Sequence, residues 1–171
     1  IVMARAFPNS TFIGFDYHPE SIEAAREAAH DMGVGANTSF EVADARSFRG
    51  RYDLVTFFDC LHDMGDPVGA AAHVRESLAS DGTWMIVEPY AQDRLGDNLN
   101  PVGRIYYAAS TMICTPCSLS QDVGLGLGAQ AGDRAARDLA RPLDGAARDR
   151  RLARADRSGL GRTRFADAHR R

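Results

Sequence analysis

Thr11-Phe-Ile-Gly-Phe-Asp16-Tyr-His-Pro-Glu-Ser-Ile-Glu-Ala-Ala-Arg26 decides the fold. Its first half reads as a short buried strand that ends on a carboxylate. The chain then turns directly into a helix, with Pro19 where a first helical turn tolerates proline and with Glu20 and Glu23 at the positive end of the helix. An acid at the carboxyl end of a parallel strand can accept hydrogen bonds from the two hydroxyls of a ribose. Asp16 is placed for that, and equally for capping the helix it precedes.

The following residues repeat the unit. Ser21 to Met32 keeps Ile22, Ala25, Ala29 and Met32 on one helical face until Gly33 and Gly35 stop it. Ser39-Phe-Glu-Val-Ala-Asp44 alternates as a second strand. Tyr52-Asp-Leu-Val-Thr-Phe-Phe-Asp59 is a third, apolar nearly throughout. A helix is expected from Asp66-Pro67 to Leu78, then a turn at Ser80-Asp-Gly82 and a fourth strand, Thr83 to Glu88, stopped by Pro89. A further apolar helix is expected from Asn100-Pro101 to Ile113, ended by Thr115-Pro116. Strands alternating with helices at this spacing predict an α/β, Rossmann-like, doubly wound and mostly parallel sheet.

Length and composition bound the function classes. The 171 residues suffice for one domain with a real core, and a formal charge of −3 gives no hint of a nucleic-acid surface. No apolar run reaches the roughly 18 residues that span a bilayer. Three cysteines are too sparse for a disulfide scaffold, so a reducing cytoplasm is the expected location. All basic residues are arginines, and they crowd into the stretch after Ala131, where periodicity is lost. Residues 1–130 are therefore expected to form the domain and 131–171 an Arg/Ala-rich tail, disordered or loosely helical.

In such a sheet, ligands bind above the carboxyl ends of the strands. Asp16, Asp44, Asp59 and Glu88 each end one of the four strands read above. Asp44 and the neighbouring Ala43 and Ala45 backbone suit the amino group of an adenine, and Tyr17 could lie against one face of that ring or simply be a half-buried aromatic at the start of the helix. His62, just past the third strand, could act as a general base or pack at a helix start. Glu88 could position an acceptor or cap its strand. Cys114-Thr-Pro-Cys117 has redox spacing but no strand before it, and two cysteines without a second ligand pair make a poor zinc site, so no metal is expected. Asp122-Val-Gly-Leu-Gly-Leu-Gly128 has the form of a dinucleotide-type glycine loop, but Pro116 to Gln121 is a poor strand to precede it. A surface loop is the expectation there.

Phe12-Ile-Gly-Phe-Asp16-Tyr-His-Pro-Glu-Ser-Ile, Val42-Ala-Asp44-Ala, Tyr52-Asp-Leu-Val-Thr-Phe-Phe-Asp59-Cys-Leu-His62-Asp63-Met and Leu78-Ala-Ser-Asp-Gly82-Thr-Trp-Met-Ile-Val-Glu88-Pro89 resemble, in order and spacing, four segments of the class I S-adenosylmethionine-dependent methyltransferases. The resemblance implies methyl transfer from S-adenosylmethionine to a small-molecule acceptor, with Asp16 on the ribose, Asp44 at the adenine end and Phe58, Asp59 and Cys60 beside the methionine part. It makes the helix at Pro101 to Ile113 the element that covers the acceptor. The family's glycine-rich loop would precede Ile1, and its closing strands would follow the acceptor helix. A sheet incomplete at both ends is therefore expected, from an upstream truncation and a downstream frameshift. Two other readings stand beside it: a non-catalytic or ligand-sensing remnant of the fold, and a nicotinamide-dependent dehydrogenase.

Overall fold

The computed structural model describes residues 1–92 and 94–130. The tail expected over 131–171 lies outside the described residues. In chain order the elements are α1 (Val2–Ala6), β1 (Phe12–Asp16), α2 (Pro19–Asp31), β2 (Thr38–Val42), β3 (Tyr52–Phe58), α3 (Pro67–Ser77), β4 (Leu78–Val87), α4 (Pro101–Ala109) and α5 (Thr115–Leu119). Short 3-10 turns stand at Leu61–Asp63, Leu95–Asn98 and Gly128–Gln130.

β1 and β2 pair in parallel with Asp16 opposite Val42, and β3 and β4 pair in parallel with Phe58 opposite Val87. The architecture is α/β and Rossmann-like, as the strand–helix alternation predicts. Among the described residues the strands form two separate two-stranded ladders, β1–β2 and β3–β4, where the sequence suggested one continuous sheet. Gly14 lies opposite Phe40, whose ring covers it so closely that a side chain at Gly14 would collide with the aromatic edge.

Each helix boundary has a local cause. His18, not Asp16, is the N-cap of α2, and Pro19 takes the first helical turn. Gly33, at φ +68, closes the helix in the left-handed conformation, as the sequence expected. Asp66 caps α3 by accepting a 2.8 Å hydrogen bond from the Gly69 N–H. Asn100 caps α4 through Gly103 N–H in the same way, at 2.9 Å.

Besides the end of β2, at Val42 rather than Asp44, two boundaries differ from the sequence reading. The turn expected at Ser80–Gly82 is a loop-out inside β4: Tyr52 pairs with Leu78, but Leu54 already pairs with Thr83. Leu78 joins the ladder before the turn, which local pattern could not reveal. Helix does not stop at Thr115-Pro116 either. A π turn at Ser110–Cys114, in which the Thr115 N–H donates to the Ser110 carbonyl, leads straight into α5. The wide turn accommodates Pro116, which has no N–H and whose ring would otherwise press on the Met112 carbonyl.

Two apolar clusters hold the elements. Phe48, Phe57, Leu61, Ala70 and Val74 pack between α3 and the β3–β4 ladder, joined by Phe15, Tyr52, Trp84 and Ile86. Phe15 stacks on Phe48 at 5.0 Å between ring centroids, so an aromatic contact links β1 to this cluster. Ala4, Ala29 and Val34 form the second cluster with Phe12 and Phe40. No helix among the described residues is long and apolar enough to cross a membrane.

Candidate functional site

Parallel pairing brings the carboxyl ends of the strands in each ladder to one side. β1 ends on Asp16, and β4 is followed directly by Glu88. Asp44 lies two residues past the end of β2, because Ala43 N–H bonds the Asp16 carbonyl at 2.9 Å and the chain then turns. Asp59 follows β3 with φ +53, the only non-glycine residue in the left-handed region among the described residues. Such an outlier directs attention to the loop that carries it.

The turn at Asp59 aims the next backbone groups at Glu88. Glu88 Oε1 accepts N–H bonds from Leu61 at 2.8 Å and from Cys60 at 3.2 Å. Its Oε2 meets His62 Nδ1 in a short contact, and both side chains are less than a tenth exposed. A buried carboxylate without partners would be prohibitively costly. Here one carboxylate fastens three groups of the Asp59–Met64 segment to the end of β4.

His62 also faces two other carboxylates. Its Nε2 lies 3.2 Å from Asp63 Oδ1, and Asp59 Oδ1 lies 3.9 Å from its Nδ1. The Glu88 hydrogen bond raises the His62 pKa against the opposing effect of burial, and the charges of Glu88, Asp63 and Asp59 add to the rise. Burial, and then the Glu88 charge, push the Cys60 thiol up to about 11. Cys60 is therefore a thiol, not a thiolate, at neutral pH.

The other ladder is more open. Asp16 is half-buried, and its Oδ1 accepts the His18 N–H at 2.8 Å. Among the described residues Oδ2 has no hydrogen-bond partner. Asp44 holds Arg46 through both oxygens, at 2.9 Å each, and also takes the Arg46 N–H at 2.7 Å. That side-chain hydrogen bond holds the Asp44 carboxyl below the usual carboxylate range. Tyr17 and Phe58 are exposed and Ala45 is half-buried.

A family model described as a methyltransferase domain matches residues 1–133. The chain belongs to the methyltransferase-domain family. Methyl transfer, rather than the hydride transfer weighed beside it, is the chemistry of this family. Within the methyltransferase domain, the sequence-selected residues fall into two groups. Glu88, Asp59, Cys60 and His62 gather at the β3–β4 end, while Asp16, Tyr17, Asp44 and Ala45 follow the β1–β2 ladder.

Sequence reasoning set Asp63 beside His62 but did not bring Cys114 to them; the three form one cluster. The Cys114 thiol comes from a segment about fifty residues further along the chain, so only its chemical type was visible locally. Sequence reasoning also missed Arg46 as the partner of Asp44, although the two-residue spacing was available. The glycine stretch Asp122 to Gly128 follows a helix rather than a strand. It is fastened by Leu125 N–H to the Gly65 carbonyl and by Gly126 N–H to Ser118 Oγ, both at 3.0 Å. Gly124, Gly126 and Gly128 all adopt positive φ. They serve an anchored turn in which every second residue must be glycine.

α4 and the π turn expose Val102, Ile105, Met112 and Ile113. This apolar surface belongs to the helix that the sequence assigned to covering an acceptor.

Proposed function

We propose that this methyltransferase domain takes its methyl group from S-adenosylmethionine and passes it to a small-molecule acceptor. The observation that carries the reading is the row of acids at the carboxyl ends of parallel strands, Asp16 and Asp44 in one ladder and Asp59 and Glu88 in the other. The chemistry of the donor matches these residues. Asp16 has one carboxylate oxygen without a partner among the described residues, which suits a ribose hydroxyl. Asp44 retains lone pairs beyond those used by Arg46 for an adenine amino group, with Ala45 beside it and exposed Tyr17 available for stacking. Phe58, Asp59 and Cys60 are the residues assigned to the methionine part.

S-adenosylmethionine supplies an electrophilic methyl on a sulfonium. The protein's own contribution is positioning and exclusion of water. Cys60, kept as a neutral thiol, offers no competing nucleophile. In this reading His62 and Glu88 are positioning residues. Both His62 ring nitrogens face carboxylates, and the ring is buried, so it holds the Asp59–Met64 segment rather than taking a proton from the acceptor.

The test is calorimetric titration of the folded chain with S-adenosylmethionine, its demethylated product and, separately, NAD. Saturable binding of the first two, weakened by Asp16→Ala, is the expected result. A folded chain that binds neither adenosyl compound would refute the reading.

A further inference from the structure

Outside the acids assigned to the donor, one cluster has a chemistry that methyl transfer does not use. His62 and Asp63 on the turn after β3 and Cys114 on the π turn each bring one ligand-type atom to within 4.8 Å of the others, the thiol Sγ in the case of Cys114. Asp63 Oδ1 is buried and accepts no N–H or hydroxyl hydrogen bond among the described residues; His62 Nε2 stands 3.2 Å away, and the Cys114 thiol lies against the same carboxylate. His62 itself is 4% exposed, and its other nitrogen is taken by Glu88.

We propose that His62, Asp63 and Cys114 bind a divalent cation of the zinc type, with Glu88 behind the histidine. One imidazole nitrogen, one carboxylate oxygen and one sulfur make a donor set that suits zinc, whereas magnesium and calcium take oxygen alone. Two donors 2.0–2.1 Å from a tetrahedral ion stand about 3.3 Å apart. Nε2 and Oδ1 already stand 3.2 Å apart, close to that value.

The surroundings favour a cation independently of the donors. A carboxylate on Nδ1 fixes the tautomer that leaves a lone pair on Nε2, as in the carboxylate–histidine–metal arrangement. Asp59, Asp63 and Glu88 all face His62, and no arginine among the described residues pairs with any of them. One imidazole cannot balance three carboxylates. An ion would join the Asp63 oxygen to the imidazole and the sulfur and leave a fourth coordination position for water or another oxygen ligand. The second group of nearby donors, Asp59, His62 and Glu88, is a weaker candidate because the Nδ1 it needs already bonds Glu88.

The experiment titrates the full chain, freed of metal by a chelator, with Co2+ as the spectroscopic probe and then with Zn2+ as competitor. The expected result is one equivalent of Co2+ with tetrahedral visible bands and a thiolate-to-metal charge-transfer band, both erased by Zn2+. C114S should lose the charge-transfer band, C60S and C117S should keep it, and D63N should bind Co2+ at least tenfold more weakly. Circular dichroism confirms that each variant folds. A folded wild-type chain with no charge-transfer band would overturn the proposal, as would a band that survives in C114S or disappears in C117S. If C114S does not fold, unchanged Co2+ affinity in D63N overturns it equally.

Discussion

Replacing Glu88 by glutamine should remove the interaction that ties the β3 loop to β4. The Glu88 and His62 side chains are 7% and 5% exposed, so the pair is screened little by solvent. Breaking a buried ion pair by changing one partner costs about 3–5 kcal/mol. Glutamine keeps a carbonyl oxygen that can still accept the Cys60 and Leu61 N–H bonds. The loss should therefore fall near the lower end, about 3 kcal/mol, and lower the melting temperature by on the order of 10 °C. Alanine at the same position would also strand both backbone donors, at about 1–3 kcal/mol each. The assay is urea unfolding followed by circular dichroism, in chelator so that metal binding does not contribute. The pH dependence gives a second readout. The folded-state pKa of His62 is raised, chiefly by Glu88. Its contribution to stability is therefore fully present below the unfolded value of about 6.5 and is lost as pH rises through the folded value. Wild-type stability should fall over that rise, and Glu88→Gln should flatten the slope. A Glu88→Gln chain within about 0.5 kcal/mol of wild type at pH 6, with an unchanged pH slope, would refute the ion-pair argument.

Asp16→Ala should weaken S-adenosylmethionine binding by about 1.5–3 kcal/mol, the worth of hydrogen bonds to a charged group. Equal affinity by calorimetry in a folded variant would remove Asp16 from the site. Arg46→Ala should change stability by less than about 1 kcal/mol, because the Arg46–Asp44 pair is roughly two-fifths exposed. NMR titration should nevertheless find the Asp44 pKa higher in the variant, since the Arg46 hydrogen bond is the largest cause of its depression. Asp44's contribution to stability is present above its unfolded value of about 3.9 and is lost as pH falls through the depressed folded value, so Arg46→Ala should also unfold less steeply in acid. Gly103→Ala offers a sharper contrast. Alanine is favoured over glycine in a helix by about 1 kcal/mol. Its Cβ would run into the Asn98 carbonyl, however, so the variant should be less stable in urea, and a more stable one would disprove the close packing.

The parts of the fold that were legible are those specified by short-range pattern. The apolar run at Tyr52–Phe58 read correctly as a strand, although Leu54 and Phe58 are exposed and only Phe57 is buried. The Asp16-to-Pro19 transition read correctly because helix initiation leaves a signature within a few residues. β2 ends at Val42 rather than at Asp44 because Asp44 turns to bond Arg46. Leu78 joins the β3–β4 ladder ahead of the turn because Tyr52 lies opposite it. Neither of these contacts is encoded in alternation. The helix past Pro116 was missed because proline ordinarily ends a helix, and a π turn is the less common way around it. At the site, the acids after the strands were visible as types at positions. That His62 contacts Glu88, Asp63 and Cys114 depends on how the β3 turn, β4 and the π turn come together. Residue identity could nominate His62 and Glu88 separately, but not that Glu88 and Cys114 lie beside the histidine.

The π turn also sets the rotational phase of the segment after it. A turn widened by one residue offsets everything downstream by about 100° from where an unbroken α-helix would carry it. Ser118, fully buried with its Oγ on the Met64 carbonyl, occupies its position because of that offset. Removing one residue from Ser110–Cys114 would restore ordinary pitch and rotate Ser118 away from Met64. The apolar side chains upstream, from Val102 to Ile105, would keep their facing. Length changes in this helix are therefore not equivalent along it. Those before Ser110 alter what is displayed, whereas those within the wide turn detach the anchor.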